Sequence, residues 1–147
     1  MERMIFRKSD ERWWQKPLVL IDGRSLPAEL VVLRRQVQEG EEGVWLNSRG
    51  TKTGVADLRR DASGNFVTVR IPLPDFVATR LHELYELTGP MKGAPDLVIW
   101  NVSNSSVRFV EVKCPDWDSP SDEQEIFLAE AARRGSTCSI VEWVFAS

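Results

Sequence analysis

The sequence predicts an α/β or α+β domain built on a mixed β-sheet. Short apolar or alternating runs, typical of strands, are interspersed with stretches in which apolar residues recur at helical spacing. A polar segment joins two apolar runs within residues 93–113, which indicates a buried hairpin. The 147 residues and the 42% hydrophobic content suit one domain with one core, in which helices pack on the sheet.

Residues 1–16 are mixed in composition and highly charged, and Trp13 and Trp14 lie near their end. Because each tryptophan buries a large area, the pair is predicted to be partly buried rather than a base-stacking platform. The apolar segment 17–22 is predicted to be a short strand, and Gly23 begins a turn.

A first helix is predicted from an N-cap at Ser25 to an end at Gly40. Pro27 falls in the first turn, where its missing N–H costs little. Glu29 lies in the same turn, where its charge would complement the helix dipole. The apolar residues at helical spacing are Leu30, Leu33 and Val37.

The middle of the chain predicts a second hairpin and a second helix. Residues 43–48 and 66–71 are predicted strands, and the second of them alternates strictly between apolar and polar side chains. The polar, glycine-rich segment 50–65 between them is predicted to be a flexible loop. The second helix is predicted from a cap at Asp75 through Leu87.

The hairpin at 93–113 carries charged residues at one end. The run DLVIW, which Asp96 opens, suits a buried strand, and VRFVEVK forms the second strand. Side chains two apart on a strand share a face, so Glu111 and Lys113 are expected to point the same way, near Asp96. Val112 is expected to point into the core.

The remaining segment predicts a loop, a helix and a strand. The loop covers residues 114–120 and is predicted to be rigid. A third helix follows from an N-cap at Ser121 to about Arg134. Gln124 falls in its first turn, which is an ordinary place for a capping glutamine. Residues 138–145 are predicted to be the last strand.

Two carboxylates and an ammonium at the end of an apolar hairpin need partners, because buried charges are costly unless paired or metal-bound. A hard divalent cation takes oxygen ligands, often one or two carboxylates with water and substrate phosphate. Asp96 and Glu111 would bind it, and Lys113 would orient water or steady a phosphate, which predicts metal-assisted phosphodiester hydrolysis. The bare E-x-K tripeptide is more typical of an edge strand with a solubilising Glu–Lys pair.

Composition excludes several classes of protein. A net charge of −3 and a pI of about 5.3 argue against non-specific coating of nucleic acid. Cys114 and Cys138 fit reduced thiols, and His82 as the only histidine argues against a multi-histidine metal site or a Ser-His-Asp triad. No apolar run approaches the roughly 18 residues of a membrane helix, and the N-terminus does not resemble a signal peptide. A cytoplasmic protein with no membrane partner is therefore expected.

A nuclease is compatible with the acidic balance, because metal ions offset the site carboxylates and basic residues can gather on one surface. Arg59 and Arg60 fall in the predicted flexible loop, which could follow a phosphate backbone. The other basic candidates are Arg34, Arg35, Arg49, Lys52, Arg133 and Arg134.

The motifs G-A-P-D-L-V-I-W, F-V-E-V-K and S-D-E-Q-E-I-F-L, followed by a final strand, resemble the virus-type replication-repair nuclease (VRR-NUC) family of the PD-(D/E)xK superfamily. The likeness covers residues 89–144 and extends to the nuclease module of the Fanconi-associated nuclease and to stand-alone phage and bacterial versions. It implies a restriction-endonuclease-like core, a mixed central sheet flanked by helices. Within a single domain, 1–147, residues 1–26 would be an N-terminal extension and 27–147 the nuclease core.

The resemblance implies roles for five residues of the hairpin and the helix after it. Asp96 and Glu111 look like metal ligands, and the carbonyl of Val112 is expected as a further ligand. Lys113 looks like the catalytic lysine. Gln124 looks like the glutamine that reaches into the site of the family.

An upstream glutamate usually joins such a site, and Glu29 is its best match by position. Its rivals are Glu11, Glu83 and Glu86. Cys114 stands where the family usually has glycine, so its side chain is expected to crowd an approaching phosphate backbone.

The activity that the resemblance implies is Mg²⁺- or Mn²⁺-dependent endonuclease cleavage of DNA. Small stand-alone relatives imply a homodimer acting on branched DNA. Two alternatives stay open. One is a nuclease toxin domain of an interbacterial effector, delivered into a target cell and neutralised by an immunity protein. The other is a nuclease fold retained as a catalytically silent binding module.

Overall fold

The computed structural model describes residues 2–47, 52–89, 95–116 and 121–147, and these form a mixed α+β fold. The described strands are β1 (Glu2–Trp13), β2 (Lys16–Ile21), β3 (Arg24–Leu26), β4 (Glu41–Trp45), β5 (Thr53–Arg60), β6 (Phe66–Pro72), β7 (Leu97–Asn101), β8 (Ser106–Lys113) and β9 (Thr137–Phe145). The described helices are α1 (Ala28–Gln36), α2 (Asp75–Thr88) and α3 (Asp122–Arg133). The predicted mixed sheet with flanking helices is confirmed.

The strands form one sheet in the order β3-β2-β1-β9-β8-β7-β4-β5-β6. Among the described strands, β9 runs parallel to both of its neighbours, β1 and β8, and the other pairs are antiparallel. β9 therefore lies inside the sheet. β1 changes partner along its length: residues 2–6 pair with β9, and residues 7–13 pair with β2.

Helices cover both faces of the central strands. α1 packs on one face with a layer that includes Leu97, Val110 and Val112, whereas α2 and α3 pack on the other face with Val98 and Phe109. Because β7 is buried on both faces, its sequence is a continuous apolar run rather than an alternating one.

The sheet curls around α1. Every residue from Ala28 to Leu33 is buried, so this part of the helix is covered on all sides, whereas Arg34 and Arg35 near its end are exposed. Arg24 of β3 donates a hydrogen bond to Asp57 of β5 at 3.0 Å, and Glu11 of β1 forms an ion pair with Arg60 of β5. Strands β1–β3 and β5 thus meet on the far side of α1 and enclose it.

The prediction of a flexible loop at 50–65 is wrong for residues 53–60, because these form β5. The connection to β6 is a short turn in which the Asp61 carboxylate accepts backbone hydrogen bonds. β4 pairs with β5 and β7, not with β6 as the predicted hairpin requires. Gly54 suggested a loop, but a Cβ there would overlap the side chain of Val44, so the strand needs a glycine at this contact.

β1 occupies most of residues 1–16, for which no element is predicted. Its buried residues are Met4, Phe6 and Ser9, and a β-bulge interrupts the two-residue period that would reveal a strand. Trp13 packs against Trp45 with 6.0 Å between ring centroids, as the prediction of partial burial requires. For Trp14 that prediction is wrong, because its side chain is 87% exposed.

The helix limits differ from prediction by a few residues. α1 begins after Pro27, because Ser25 lies in β3, and it ends before Gly40. Asp75 is the first residue of α2 rather than its cap. Ser121 is confirmed as the N-cap of α3.

Some predicted features lie outside the described residues. These are the end of the predicted strand at Ser48, Arg49, the Gly93–Ala94 part of the hairpin motif, and positions 117–120 of the predicted rigid loop. Among the described helices, none is long and apolar enough to cross a membrane.

Candidate active site

Strands β7 and β8 part at the end that carries the charged residues. The last backbone pair of their ladder at this end is Leu97 with Val110. One residue further, the Asp96 N–H donates to Glu111 Oε1 at 3.2 Å, and the Val112 N–H donates to Asp96 Oδ2 at 2.7 Å. Each carboxylate therefore holds the backbone of the opposite strand, which fixes both side chains where the strands diverge.

The backbone around Asp96 explains why the ladder stops there. Pro95 has no N–H, so it cannot extend the antiparallel pairing. The Asp96 carbonyl instead accepts a hydrogen bond from the Leu46 N–H at 2.7 Å, directly after β4. Asp96 is thus held between β4 on one side and β8 on the other.

Polar contacts continue from Glu111 to α3. Glu111 Oε2 lies 3.3 Å from Lys113 Nζ, and Lys113 Nζ donates to Gln124 Oε1 at 2.9 Å. The same oxygen accepts the Ser121 N–H at 2.9 Å, and the Ser121 hydroxyl accepts the Gln124 N–H. Gln124 therefore completes the capping box of α3 and also contacts Lys113. Its two predicted roles, as a capping residue and as a glutamine that reaches into the site, are compatible.

Glu111 is the buried centre of this group. Its side chain is 0% exposed, and that of Lys113 is 8% exposed. Burial and the neighbouring Asp96 carboxylate raise the pKa of Glu111 to about 8, although contacts with Lys113 and the Asp96 N–H lower it in part. Glu111 Oε2 has an ion-pair contact but no well-directed hydrogen bond in the described part of the chain.

These oxygens suit a hard divalent cation. Such a cation needs only one or two protein carboxylates, since it keeps several waters. Asp96 and Glu111 supply two, and Glu111 Oε2, which has the ion pair with Lys113 but no hydrogen bond to a described residue, could accept a cation as well. The Val112 side chain points into the α1 layer, as predicted, and its carbonyl as a ligand stays a prediction. Across the described residues, no three His, Cys, Asp or Glu side chains form a ready cluster.

Glu29 lies on α1, across the sheet from Glu111. Its Oε2 pairs with Lys16 Nζ at 2.8 Å, and its buried Oε1 has no hydrogen bond to any described residue. Lys16 Nζ is 5.8 Å from the centroid of the Trp45 ring, and Trp45 pairs with Leu97 at the open end of the hairpin. Glu29 is therefore linked through Lys16 and Trp45 to the open end of the hairpin. Among the described residues it has no hydrogen bond to Asp96 or Glu111, and its role in the site stays a prediction. Sequence reasoning missed Lys16, because this residue lies just before the predicted strand at 17–22 and its partner Glu29 lies on a different element.

The other residues that the sequence singled out lie elsewhere. Glu83 is exposed on α2, and Glu86 pairs with His82 on the surface of that helix at 3.0 Å. Cys114 is 2% exposed and packs in the α1 layer. The predicted crowding of a phosphate by this side chain is wrong, because the side chain points into the core.

Asp96 directly precedes one strand, and Glu111 and Lys113 lie at the end of the next, which is the order of these residues in a PD-(D/E)xK motif. The model of the VRR-NUC domain matches residues 46–142, more than half of the sequence. The chain belongs to the VRR-NUC family, as the motifs predict.

Solved structures similar to this chain include two of paFAN1 bound to gapped DNA. In the complex with a 2nt 5′ flap, the sequence identity to this chain is 20% and the TM-score is 0.39, and the match covers 51% of this chain and 16% of the paFAN1 chain. In the complex with a 1nt 5′ flap, the sequence identity is 24% and the TM-score is 0.38, and the match covers 51% of this chain and 14% of the paFAN1 chain. The matched part is thus a small fraction of paFAN1. A search of curated proteins gives no match.

Proposed function

We propose that this VRR-NUC domain is a divalent-metal-dependent DNA endonuclease. The observation that supports it most is the pair of hydrogen bonds across the diverging strands, from the Asp96 N–H to Glu111 Oε1 and from the Val112 N–H to Asp96 Oδ2, with Lys113 beside them. Two carboxylates and an ammonium at one strand end suit the binding of a metal and a phosphate. Buried polar atoms with a purely structural role are normally hydrogen-bonded, whereas Glu111 Oε2 has no hydrogen bond to a described residue.

In this proposal Asp96, Glu111 and the carbonyl of Val112 hold Mg²⁺ or Mn²⁺. A bound cation of this kind stabilises charge on phosphoryl oxygens and lowers the pKa of water. Lys113 holds the attacking water or a non-bridging phosphate oxygen through its ammonium. Gln124 fixes the direction of that ammonium through the 2.9 Å hydrogen bond, so that the donor is preorganised where negative charge develops.

The finer parts of the proposal come from the family likeness. The substrate would be branched DNA, and a homodimer would present two sites to it. Residues 27–147 would form the nuclease core, and strands β1–β3 would complete the enclosure of α1. The protein would act in the cytoplasm, where it meets DNA.

A cleavage assay tests the activity. Plasmid, flapped and four-way DNA are incubated with Mg²⁺ or Mn²⁺ and the wild type, Asp96→Asn, Lys113→Ala or the exposed control Glu83→Gln. Asp96→Asn keeps an oxygen for the Val112 N–H, so its loss of activity would report chemistry rather than folding. We expect cleavage by wild type and control and a fall of roughly 100-fold or more in the site variants. Equal cleavage by all four proteins would refute the assignment, and no cleavage by any would favour the silent binding module.

The role of Glu29 is tested by the metal requirement. If its unpaired oxygen contributes to cation binding, Glu29→Gln should raise the Mg²⁺ concentration for half-maximal cleavage by about tenfold. Glu11→Gln and Glu83→Gln serve as matched controls. An unchanged requirement in Glu29→Gln would remove this residue from the site.

A further inference from the structure

The hairpin that joins β1 to β2 presents an exposed tryptophan at its tip. Trp14 is 87% exposed, and its φ of 56° lies in the left-handed region that non-glycine residues rarely adopt. A large aromatic surface in water and an unfavourable backbone conformation both cost free energy. A turn of this shape would be made more cheaply by Asn or Gly, so folding alone does not account for tryptophan here.

The tip is held firmly although its indole is exposed. The neighbouring Trp13 packs edge-on against Trp45, with an interplanar angle of 69°. Across the turn, Arg12 Nη1 donates to the Gln15 carbonyl at 3.2 Å. Trp14 therefore projects from a backbone fixed on both sides, and binding through its ring would require little further ordering.

The tip is anchored on the α1 side of the sheet, at the strand end that carries Asp96. Lys16, at the start of β2, pairs with Glu29 at 2.8 Å and lies over the Trp45 ring. Trp45 is paired with Leu97, the residue after Asp96. The turn that carries Trp14 is thus anchored at the end of the sheet where Asp96 precedes β7.

The Arg12 guanidinium beside the tip can bind a phosphate. Lys16 and Glu11 are each neutralised in an ion pair, with Glu29 and with Arg60. Among the described contacts, Asp10 is the acidic residue of the segment 10–16 that has no ion pair. An unpaired nucleotide offers both groups that this surface can bind: a flat base for the indole and a phosphate for Arg12.

We propose that Trp14 is a stacking platform for an unpaired base of the DNA substrate, which it would hold beside the Asp96–Glu111 centre. This inference rests on the proposed function, since DNA is assigned as the substrate there. It assigns to the β1–β2 hairpin, which lies outside the family match at 46–142, a preference for DNA with unpaired bases next to the scissile bond.

Binding and cleavage are measured separately to test it. The binding probes are a labelled duplex with a single-stranded arm and a fully paired duplex of equal length, titrated in EDTA so that no cleavage occurs. We expect Trp14→Ala to weaken binding of the armed duplex by about 5- to 150-fold and to leave the paired duplex unaffected. Trp14→Phe should retain most of the affinity, whereas Trp14→Leu, which is apolar but cannot stack, should not. Val102→Ala, at another exposed hairpin tip, is the matched control.

Three outcomes would overturn the inference. One is equal affinity of wild type and Trp14→Ala for the armed duplex. Another is an equal loss for both duplexes. The third is a change from dimer to monomer in Trp14→Ala on sedimentation, because the indole would then bind a second copy of the chain. If the wild type cleaves nothing but Trp14-dependent binding of the armed duplex persists, the proposed nuclease activity fails and the stacking platform stands.

Discussion

Replacing Glu111 with glutamine is expected to stabilise the protein in the absence of a divalent cation. Burial, and then the charge of Asp96, raise the pKa of Glu111 from 4.5 to about 8. The folded protein therefore keeps a proton there that the unfolded chain has released. This carboxyl group favours folding below pH 4.5, and the contribution is lost as the pH rises through about 8. Glutamine has no such proton to lose.

The size of the effect follows from linkage. Each pH unit within this window changes the free energy of unfolding by about 1.4 kcal/mol. Between about pH 6 and about pH 7.5, the wild type should lose on the order of 2 kcal/mol relative to Glu111→Gln. For a domain of this size, that corresponds to roughly 4–8 °C in Tm.

Thermal unfolding in EDTA at a series of pH values measures this difference, with Glu83→Gln as the exposed control. Adding Mg²⁺ or Mn²⁺ should raise the Tm of the wild type and leave that of Glu111→Gln nearly unchanged, because a cation replaces the proton on Glu111. If the Tm of all three proteins falls in parallel, or the wild type gains stability over this range, the carboxylate is not the destabilising charge that its burial indicates.

Three further substitutions test contacts outside the carboxylate pair. Gln124→Ala should reduce cleavage at least roughly tenfold, because Lys113 loses the hydrogen bond that directs its ammonium. Ser121→Ala should cost about 1 kcal/mol of stability with near-normal cleavage. Equal activity in the two variants would limit the role of Gln124 to capping α3. Asp57→Asn should cost about 2 kcal/mol in urea unfolding at neutral pH, where the carboxylate pairs with three arginines. Burial raises the pKa of Asp57, but hydrogen bonds from Arg59 and Arg24 outweigh it and leave the pKa below 3.8. The deficit should therefore shrink as the pH falls below 3.8 and disappear once the pH has passed the lowered pKa of the folded protein. A pH-independent deficit would contradict this.

The hairpin could be predicted from the sequence because its strands and its turn are determined by residues that lie close together in the chain. Alternation along β8 is enough to place Glu111 and Lys113 on one face and Val112 on the other, and the structure has this arrangement. The turn between the strands then brings Asp96 to Glu111. The Ser121 cap of α3 follows from four consecutive residues, so it too could be read from the sequence.

The surroundings of the hairpin depend on partners that are distant in the sequence. Asp57 is buried only because Arg24 and Arg34 reach it from other elements. Gly54 indicates a loop when the sequence is considered alone, and only the contact with Val44 shows why a glycine is needed in this strand. Lys16 likewise forms its ion pair with Glu29, a residue on a different element. Propensity and periodicity describe a segment by itself, so they cannot report contacts of this kind.

The position of β9 has a consequence for how the protein acquires its structure. This strand is made after β1 and β8 but lies between them, so neither neighbour can complete its pairing until β9 has been synthesised. Pairing β1 with β9 joins residues such as Glu2 and Val141, a separation that slows folding through the entropy of loop closure. A nascent chain would meanwhile expose two unpaired strand edges, which favours association with other chains. Expression at lowered temperature should therefore increase the yield of soluble protein.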